Sequence, residues 1–227
     1  MRFVLVSSPG DGPGSHWSHA AAADLTRVLR VGGASVEWLR VASTTDGMPS
    51  APPGIVVHDV AIREQPLHRV AAAHRDIPLE VALTRTLRTH AAEVVVHVGA
   101  GARGSPNVLW VAERMGSAAC AVVRFAEVVC HRGTLVDHAG MPCSVHDEPE
   151  RCRRCCAASW WRAPRSMAFR DRADLLFASL GFANWVFVPT DLERERLAAT
   201  GVPARVIVAT HDPAKIATQL LGAPVAT

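Results

Sequence analysis

The sequence predicts an α/β protein with a single Rossmann-like, doubly wound parallel sheet and helices on both faces. Short apolar runs of strand length alternate with longer stretches of helical period, the pattern of parallel strands joined by crossover helices. Loops rich in glycine follow two of these runs, as PGDGPGS and GAGARGSP. The 227 residues are 49% hydrophobic, enough for one substantial core, so we expect one domain over residues 1–227.

The first strand and the first helix are predicted close to the N-terminus. The apolar run Arg2–Ser7 meets glycine and proline at once and lacks a basic leader region and a small-residue cleavage site, so we interpret it as a strand and not as a signal peptide. Apolar side chains recur at helical spacing over Trp17–Val31, and Gly32–Gly33 end that helix.

The remaining elements continue the same alternation. Further strands are predicted at 36–41, 54–60, 93–98, 119–125, 185–188 and 205–209, and further helices at 78–90, 107–115, 166–180, 191–200 and 213–227. We expect the last helix to pack against the domain.

Composition and charge exclude several classes of protein. No stretch reaches the roughly 18 uninterrupted apolar residues of a spanning helix, so we expect no transmembrane segment and a cytoplasmic location. The formal charge is +3, but Lys215 is the only lysine among the cations. That skew toward arginine indicates a GC-rich, bacterial coding bias, and we expect no nucleic-acid partner.

Five of the six cysteines lie between residues 130 and 156. In a reducing compartment such a cluster indicates a metal or redox site more often than a disulfide framework. Cys130, Cys143, Cys152 and Cys155 follow the spacing C-x12-C-x8-C-x2-C, and four thiolates suit a tetrahedral structural Zn²⁺. We therefore expect a zinc-binding loop insertion at 130–156, while Cys120 is a core residue within a strand.

The ligand set leaves alternatives open. His146 forms a second pair with Cys143, as Cys143-x2-His146, and competes with Cys130 for the fourth position. The same ligands would serve an iron–sulfur cluster, and the cysteines would also be compatible with a mobile loop that binds no metal. A structural zinc would contribute roughly 10 kcal/mol or more to ordering so long a loop.

The first loop is a candidate binding site. Gly12, Gly14 and Ser15 stand between the first strand and the first helix, with His16 as the most promising polar contributor. This position lies at the carboxyl edge of a parallel sheet, where α/β proteins bind ligands, and free amides at a helix start attract anions. The structural alternative is a tight turn with a serine cap.

Two other patterns have a structural interpretation. Gly99–Gly104 fits the G-x-G-x-x-G dinucleotide motif, but Ser105–Pro106 place the helix start after the third glycine instead of at the second. We therefore expect no bound organic cofactor, and a Rossmann-type nucleotide-binding protein is a weaker alternative. Asp191, Glu193 and Glu195 lie beside arginines on a helix, which indicates a solvated, ion-paired face.

Four segments follow one another in a recognisable order: GDGPGSHWSHAAAADLTRVLRVGGASVEWLRV, AAEVVVHVGA, SAACAVVRFAEVVC and NWVFVPTDLERERLAATGVPARVIVATHD. Together they resemble the N-terminal half of family 4 glycosyltransferases of the GT-B class. In that family a glycine-rich loop opens the first helix, and many members carry a cysteine-bearing segment similar to residues 130–155. The resemblance implies a carbohydrate acceptor held near Gly12–His16 and near Glu127, which is the candidate catalytic residue.

The sequence departs from that family at three places. The His-Asp pair after the fifth strand is replaced by Arg124–Glu127, and the "NG" turn reads Thr210–His211. The second domain, which holds the nucleotide sugar in the family, is absent from this sequence. We therefore expect an acceptor-side half domain that is inactive alone and needs a partner chain with a donor domain. The alternative is a non-catalytic, zinc-stabilised protein-interaction module.

Overall fold

The computed structural model describes residues 1–8, 17–42, 50–61, 76–100, 105–130, 133–143, 148–158, 174–203 and 206–222. The strands are β1 (Arg2–Ser7), β2 (Ser35–Ala42), β3 (Val56–Ala61), β4 (Val94–Val98), β5 (Ala118–Val122), β6 (Trp185–Val188) and β7 (Ile207–Ala209). The helices are α1 (Trp17–Val31), α2 (Ile77–His90), α3 (Asn107–Arg114), α4 (Phe125–Val129), α5 (Pro149–Ala157), α6 (Asp191–Ala198) and α7 (Pro213–Gly222), and residues 174–180 are also helical.

The seven strands form one parallel sheet in the order β3-β2-β1-β4-β5-β6-β7. Strand order reverses between β1 and β4, so the connections leave these two strands in opposite directions. In parallel sheets the carboxyl ends at such a reversal flank a crevice that binds ligands. The predicted single, Rossmann-like parallel sheet is confirmed.

Apolar side chains cover the sheet on both faces. On one face, α1 and α7 pack on residues that include Phe3, Trp38 and Phe187. On the other face, α2, α3, α6 and the helical residues 174–180 pack on a second set that includes Val6 and Val95. Alternate residues of each strand serve opposite faces, and the predicted helices on both faces are confirmed.

Helix ends follow local sequence signals. Asp76 caps α2, where its Oδ1 accepts a hydrogen bond from the Leu79 backbone N–H at 3.2 Å. Thr190 caps α6 in the same way, with Oγ1 accepting from the Glu193 N–H at 3.2 Å. Side-chain oxygens at this position satisfy backbone donors that a helix leaves without an internal partner.

The main correction concerns the end of β5. The sequence predicts a strand through Phe125, whereas β5 ends at Val122 and Phe125–Val129 forms the short helix α4. A continuous apolar run does not distinguish a buried strand from a buried helical turn. Glu127 is therefore a helical residue and does not lie at a strand end.

The ends of the other strands and helices agree with the predicted ends to within two residues, apart from the three helices described next. Helix α5 begins inside the cysteine-bearing segment 130–156, which was predicted as a loop, and ends one residue beyond it. The predicted helix 166–180 is observed over 174–180, and residues 166–173 lie outside the described residues. Helix α7 spans Pro213–Gly222, and residues 223–227 of the predicted last helix also lie outside them. Within the described part of the chain, no helix combines the length and apolarity that a membrane crossing requires.

Candidate functional site

Side chains from α1, α4 and its N-cap, α6 and the segment before α7 meet beside the carboxyl ends of β5 and β6. We call Trp17, Arg124, Glu127, Glu193 and His211 the edge cluster. Trp17 is the first residue of α1, Glu127 lies in α4, and His211 follows β7. The topology thus gathers residues that are far apart in the sequence at the edge where parallel sheets bind ligands.

Trp17 makes three contacts within this cluster. Its Nε1–H donates a hydrogen bond to Glu127 Oε1. The imidazole of His211 stacks on the indole, with ring centroids 5.5 Å apart and planes inclined by 13°. The Arg124 guanidinium carbon lies 4.4 Å from the indole centroid, a cation–π contact. Trp17 is therefore held in one orientation, with its polar edge directed at the carboxyl group.

Glu127 is buried, with 4% of its surface exposed. Burial disfavours the charged carboxylate and raises its pKa to about 7 from the ordinary value of 4.5, while the Trp17 hydrogen bond and the Arg124 charge act in the opposite direction. The neighbouring Glu193 carboxylate raises this pKa further. A carboxyl group with a pKa near 7 can both accept and release a proton at neutral pH.

Glu193 and His211 fix the backbone around Glu127. Glu193 Oε2 accepts a hydrogen bond from the Phe125 N–H at 2.7 Å, which ties α6 to the start of α4. His211 Nε2–H donates to the Val123 carbonyl at 3.1 Å, and burial lowers the pKa of His211. The imidazole is therefore predominantly neutral at physiological pH, which suits its stacking beside the Arg124 cation.

A second buried network lies at the end of β1. Trp38 Nε1–H donates to Ser7 Oγ at 2.8 Å, and Ser7 Oγ lies 2.6 Å from His19 Nδ1. Since the Ser7 oxygen accepts from Trp38, its hydroxyl proton is available to His19. All three side chains are buried, so this network fixes α1 to the sheet and does not present a nucleophile.

Gly99 allows α1 to approach the end of β4 closely. Its φ is +77°, and a Cβ built there would lie 2.7 Å from Ser18 Cβ and 2.8 Å from the Ser8 carbonyl oxygen. Ser18 Oγ also donates to that carbonyl at 2.6 Å. Glycine is therefore required at this position for both its backbone conformation and its lack of a side chain.

His97 is a buried histidine near the same edge. Its Nε2 lies 3.2 Å from Ser8 Oγ, and Nδ1 has no hydrogen-bond partner among the residues that the structure describes. Burial lowers the pKa of His97 to about 3. The imidazole is thus neutral at physiological pH.

The edge cluster contains one residue that the sequence indicated as catalytic, Glu127. The predicted binding residues Gly12, Gly14, Ser15 and His16 lie outside the described residues. Trp17, Arg124 and His211 were not predicted as site residues. One feature of the sequence could have indicated Arg124 and His211 as site residues. Both lie in the segments Arg124–Glu127 and Thr210–His211, where the sequence departs from the family pattern.

The sequence predicted that the acidic residues of α6 form a solvated, ion-paired face, and this prediction is wrong for Glu193. Asp191 does form an exposed ion pair with Arg194, at 2.9 Å. Glu193 instead is half-buried and receives the Phe125 N–H. The spacing of residues along α6 does not reveal the contact of Glu193 with the Phe125 N–H, because Phe125 belongs to another helix.

The predicted zinc ligands belong to three different segments of the chain. Cys130 ends α4, Cys143 lies in the segment where Val136 pairs with Pro142, and Cys152 and Cys155 share α5. Within the described ranges, no three side chains of the metal-binding types come together. The closed four-cysteine site is therefore not confirmed, and His146 lies outside the described residues.

The helix that follows the glycine motif at 99–104 begins where the sequence predicted. Helix α3 begins at Asn107, after the third glycine, and Ser105 Oγ accepts a hydrogen bond from the Asn107 N–H at 3.2 Å. A dinucleotide motif would begin its helix at the second glycine. This geometry argues against a pyrophosphate site there.

Solved structures with a similar fold include UDP-GlcNAc 2-epimerase from Neisseria meningitidis bound to UDP-GlcNAc, with a TM-score of 0.53, 13% identity, and coverage of 97% of this chain and 49% of that one. The 2-epimerase from Methanocaldococcus jannaschii has a TM-score of 0.51 and 12% identity over 92% of this chain and 45% of that one. Os79 from O. sativa, in complex with UDP, has a TM-score of 0.50 and 18% identity, and the match covers 91% of this chain and 51% of that one.

These similarities concern the fold. No family model and no curated protein matches the chain. The chain spans about half the length of the solved structures that it resembles. At this level of identity the comparison shows a GT-B-like fold for this chain, consistent with the Rossmann-like sheet described above.

Proposed function

We propose that this chain is the acceptor-side half of a GT-B-like glycosyltransferase and binds a carbohydrate acceptor at the edge cluster. The observation that supports this most strongly is the Glu127 carboxyl group, buried at the carboxyl edge of a GT-B-like sheet and oriented by Trp17. Two of the similar structures contain UDP or UDP-GlcNAc, which favours chemistry with a sugar nucleotide.

In this proposal Glu127 is the general base. An acceptor hydroxyl oxygen forms a bond to the anomeric carbon of the donor sugar, the bond from that carbon to the nucleoside diphosphate breaks, and the hydroxyl proton passes to Glu127. A pKa of about 7 places a substantial fraction of Glu127 in the ionised form at neutral pH. The Trp17 N–H donates to one carboxylate oxygen and so orients the carboxyl group.

The donor sugar would be held by a partner protein chain. This chain spans about half the length of the similar structures, and the sequence resembles the N-terminal half of the GT-B class. Stabilisation of the departing diphosphate is usually the largest contribution to such catalysis. We therefore expect no glycosyl transfer and no sugar-nucleotide hydrolysis by this chain alone.

The test combines binding with turnover. The purified chain should be stabilised against thermal unfolding by members of a saccharide panel, and Glu127→Ala should reduce that stabilisation. UDP-sugars and GDP-sugars incubated with the chain alone should remain intact. Robust hydrolysis or transfer by the chain alone would refute the half-domain proposal, and stabilisation by NAD in place of saccharides would favour the nucleotide-binding alternative.

We further propose, from the sequence spacing, that the cysteine-bearing segment takes up one structural Zn²⁺. Cys152 and Cys155 lie one helical turn apart on α5, so these two thiols can share an ion. Metal analysis of protein purified without added metal should find about one zinc per chain. The double variant Cys152→Ser, Cys155→Ser should lose it, and metal-free protein with an ordered segment would contradict the proposal.

A further inference from the structure

A surface groove lies between α2 and α3, and none of its lining residues belongs to the edge cluster. It has a volume of about 580 Å³ and is lined by residues that include Ile77, Val81, Arg85, Arg88 and Trp110. Helix α2 contributes most of the lining at positions 77, 81, 84, 85 and 88, the spacing of one helical face. The groove therefore runs along α2 for about 17 Å.

One end of the groove is apolar and exposed. Ile77 is 57% exposed, Val81 is 51% exposed and Trp110 is 43% exposed. Single exposed apolar residues are common, but three large ones that line one concave surface indicate an interaction site. Tryptophan is also over-represented among the residues that dominate the energy of protein interfaces.

The other end of the groove is basic. Arg85 and Arg88 are exposed on the same face of α2. Arg114 does not line the groove, but its guanidinium carbon lies 6.0 Å from the centroid of the Trp110 ring. Among the described residues, none of these three arginines has an acidic ion-pair partner. Their positive charge is therefore available to a ligand.

The acidic residue in the groove does not neutralise them. Glu80 is largely buried, and its Oε1 accepts hydrogen bonds from Ser105 Oγ at 2.9 Å and from Asn107 Nδ2 at 3.0 Å. These bonds direct the carboxylate toward α3 and away from the exposed rim. The groove thus presents an apolar end and an uncompensated basic end.

We propose that this groove docks an acidic amphipathic helix of a partner protein. Aliphatic side chains of that helix would occupy the space beside Ile77, Val81 and Trp110, and its carboxylates would pair with Arg85 and Arg88. A concave surface between two packed helices fits the mode in which a helix inserts anchors at i, i+3, i+4 and i+7. Charge complementarity selects an acidic partner, and the proposal is independent of the glycosyltransferase function.

The test uses a fluorescently labelled acidic peptide with leucines at the i, i+3, i+4 and i+7 positions, titrated with the intact chain. Reversing Arg85 and Arg88 to glutamate should weaken binding about tenfold or more at low salt, and the difference should shrink at high salt. Val81→Asp should weaken binding by a similar factor. A control with the same change in net charge, Arg27→Glu with Lys215→Glu on α1 and α7, should bind as the unmodified chain does.

Three outcomes would overturn the proposal. The first is an absence of binding by the unmodified chain, and the second is equal binding of a matched peptide in which lysines replace the acidic residues. The third is concentration-dependent dimerisation of the chain that Val81→Asp abolishes, since the groove would then hold a second copy. Circular dichroism of each variant distinguishes a lost contact from a lost fold.

Discussion

Trp17 determines the environment of Glu127 at the scale of single residues. The indole donates a hydrogen bond to the carboxyl group, stacks with His211 and accepts the Arg124 cation on its face. Burial raises the pKa of Glu127, and the indole and the cation limit that rise. The pKa of Glu127 therefore results from opposing effects, and a single substitution that removes one of them should shift it in a known direction.

The first prediction concerns stability and pH for Glu127→Gln. The folded protein retains the Glu127 proton up to a pKa of about 7, whereas the unfolded chain loses it near 4.5. The wild-type free energy of unfolding therefore loses a contribution as pH rises from 4.5 to 7, about 3 kcal/mol in total. Glu127→Gln carries no titrating group, so its stability relative to wild type should increase across this window.

Urea denaturation at pH 4 and pH 8 measures that difference. Glu195→Gln, an exposed carboxylate on α6, is the matched control and should change the unfolding free energy little at either pH. A Glu127→Gln variant whose stability relative to wild type is the same at both pH values would contradict the assignment of a raised pKa to Glu127.

The second prediction concerns Trp17→Phe. Phenylalanine keeps an aromatic face for His211 and Arg124 but has no N–H for Glu127. Since that hydrogen bond favours the ionised carboxylate, its loss should raise the pKa of Glu127 further above about 7. Carbon-13 NMR of the side-chain carboxyl group, titrated against pH, measures this directly. Trp110→Phe should leave the titration unchanged, and an unchanged curve in Trp17→Phe would refute the role of the indole.

At the scale of elements, the junction of β4 with α1 shapes the crevice. Gly99 donates its N–H to the Val122 carbonyl at 2.9 Å, in register with the end of β5. A Cβ on the same residue would overlap Ser18 of α1 and the Ser8 carbonyl. Three elements therefore converge at one glycine, and their spacing depends on its lack of a side chain.

The third prediction compares two glycines with the same backbone conformation. Gly99 has φ +77° with neighbours under 3 Å from a built Cβ, whereas Gly116 has φ +78° with nothing within 4 Å. Gly116→Ala should cost about 1 kcal/mol for the left-handed conformation alone. Gly99→Ala adds the overlap with α1 and should cost about 3 kcal/mol. Chemical denaturation of both variants checks this, and equal losses would show that α1 does not pack closely on β4.

Elements were more predictable than contacts between them. The apolar runs Arg2–Ser7 and Trp185–Val188 reproduce β1 and β6 residue for residue, because buried strands leave a local hydrophobic pattern. The pairing of Trp17 with Glu127 joins residues 110 positions apart, and no local pattern encodes such a contact. Glu127 was identified through family resemblance, and its partners required the three-dimensional structure.

At the scale of the whole molecule, one parallel sheet carries two surfaces with different chemistry. The carboxyl edge holds the buried carboxyl group of Glu127 and its aromatic partners, and the face of α2 and α3 holds the apolar and basic groove. The fold resembles about half of larger structures that contain UDP or UDP-GlcNAc. We propose that the edge binds the acceptor and that a partner chain supplies the donor.

The most direct test of this account follows the tryptophan indole N–H signals in a ¹H–¹⁵N NMR spectrum while saccharide acceptors are added. The chain has six tryptophans, and Trp17→Phe and Trp110→Phe assign the two that matter. Binding at the edge cluster should shift the Trp17 signal in a saturable way, leave the Trp110 signal in place and be weakened by Glu127→Ala. Saccharide binding that leaves the Trp17 signal unchanged, or no binding by any member of the panel, would contradict the account.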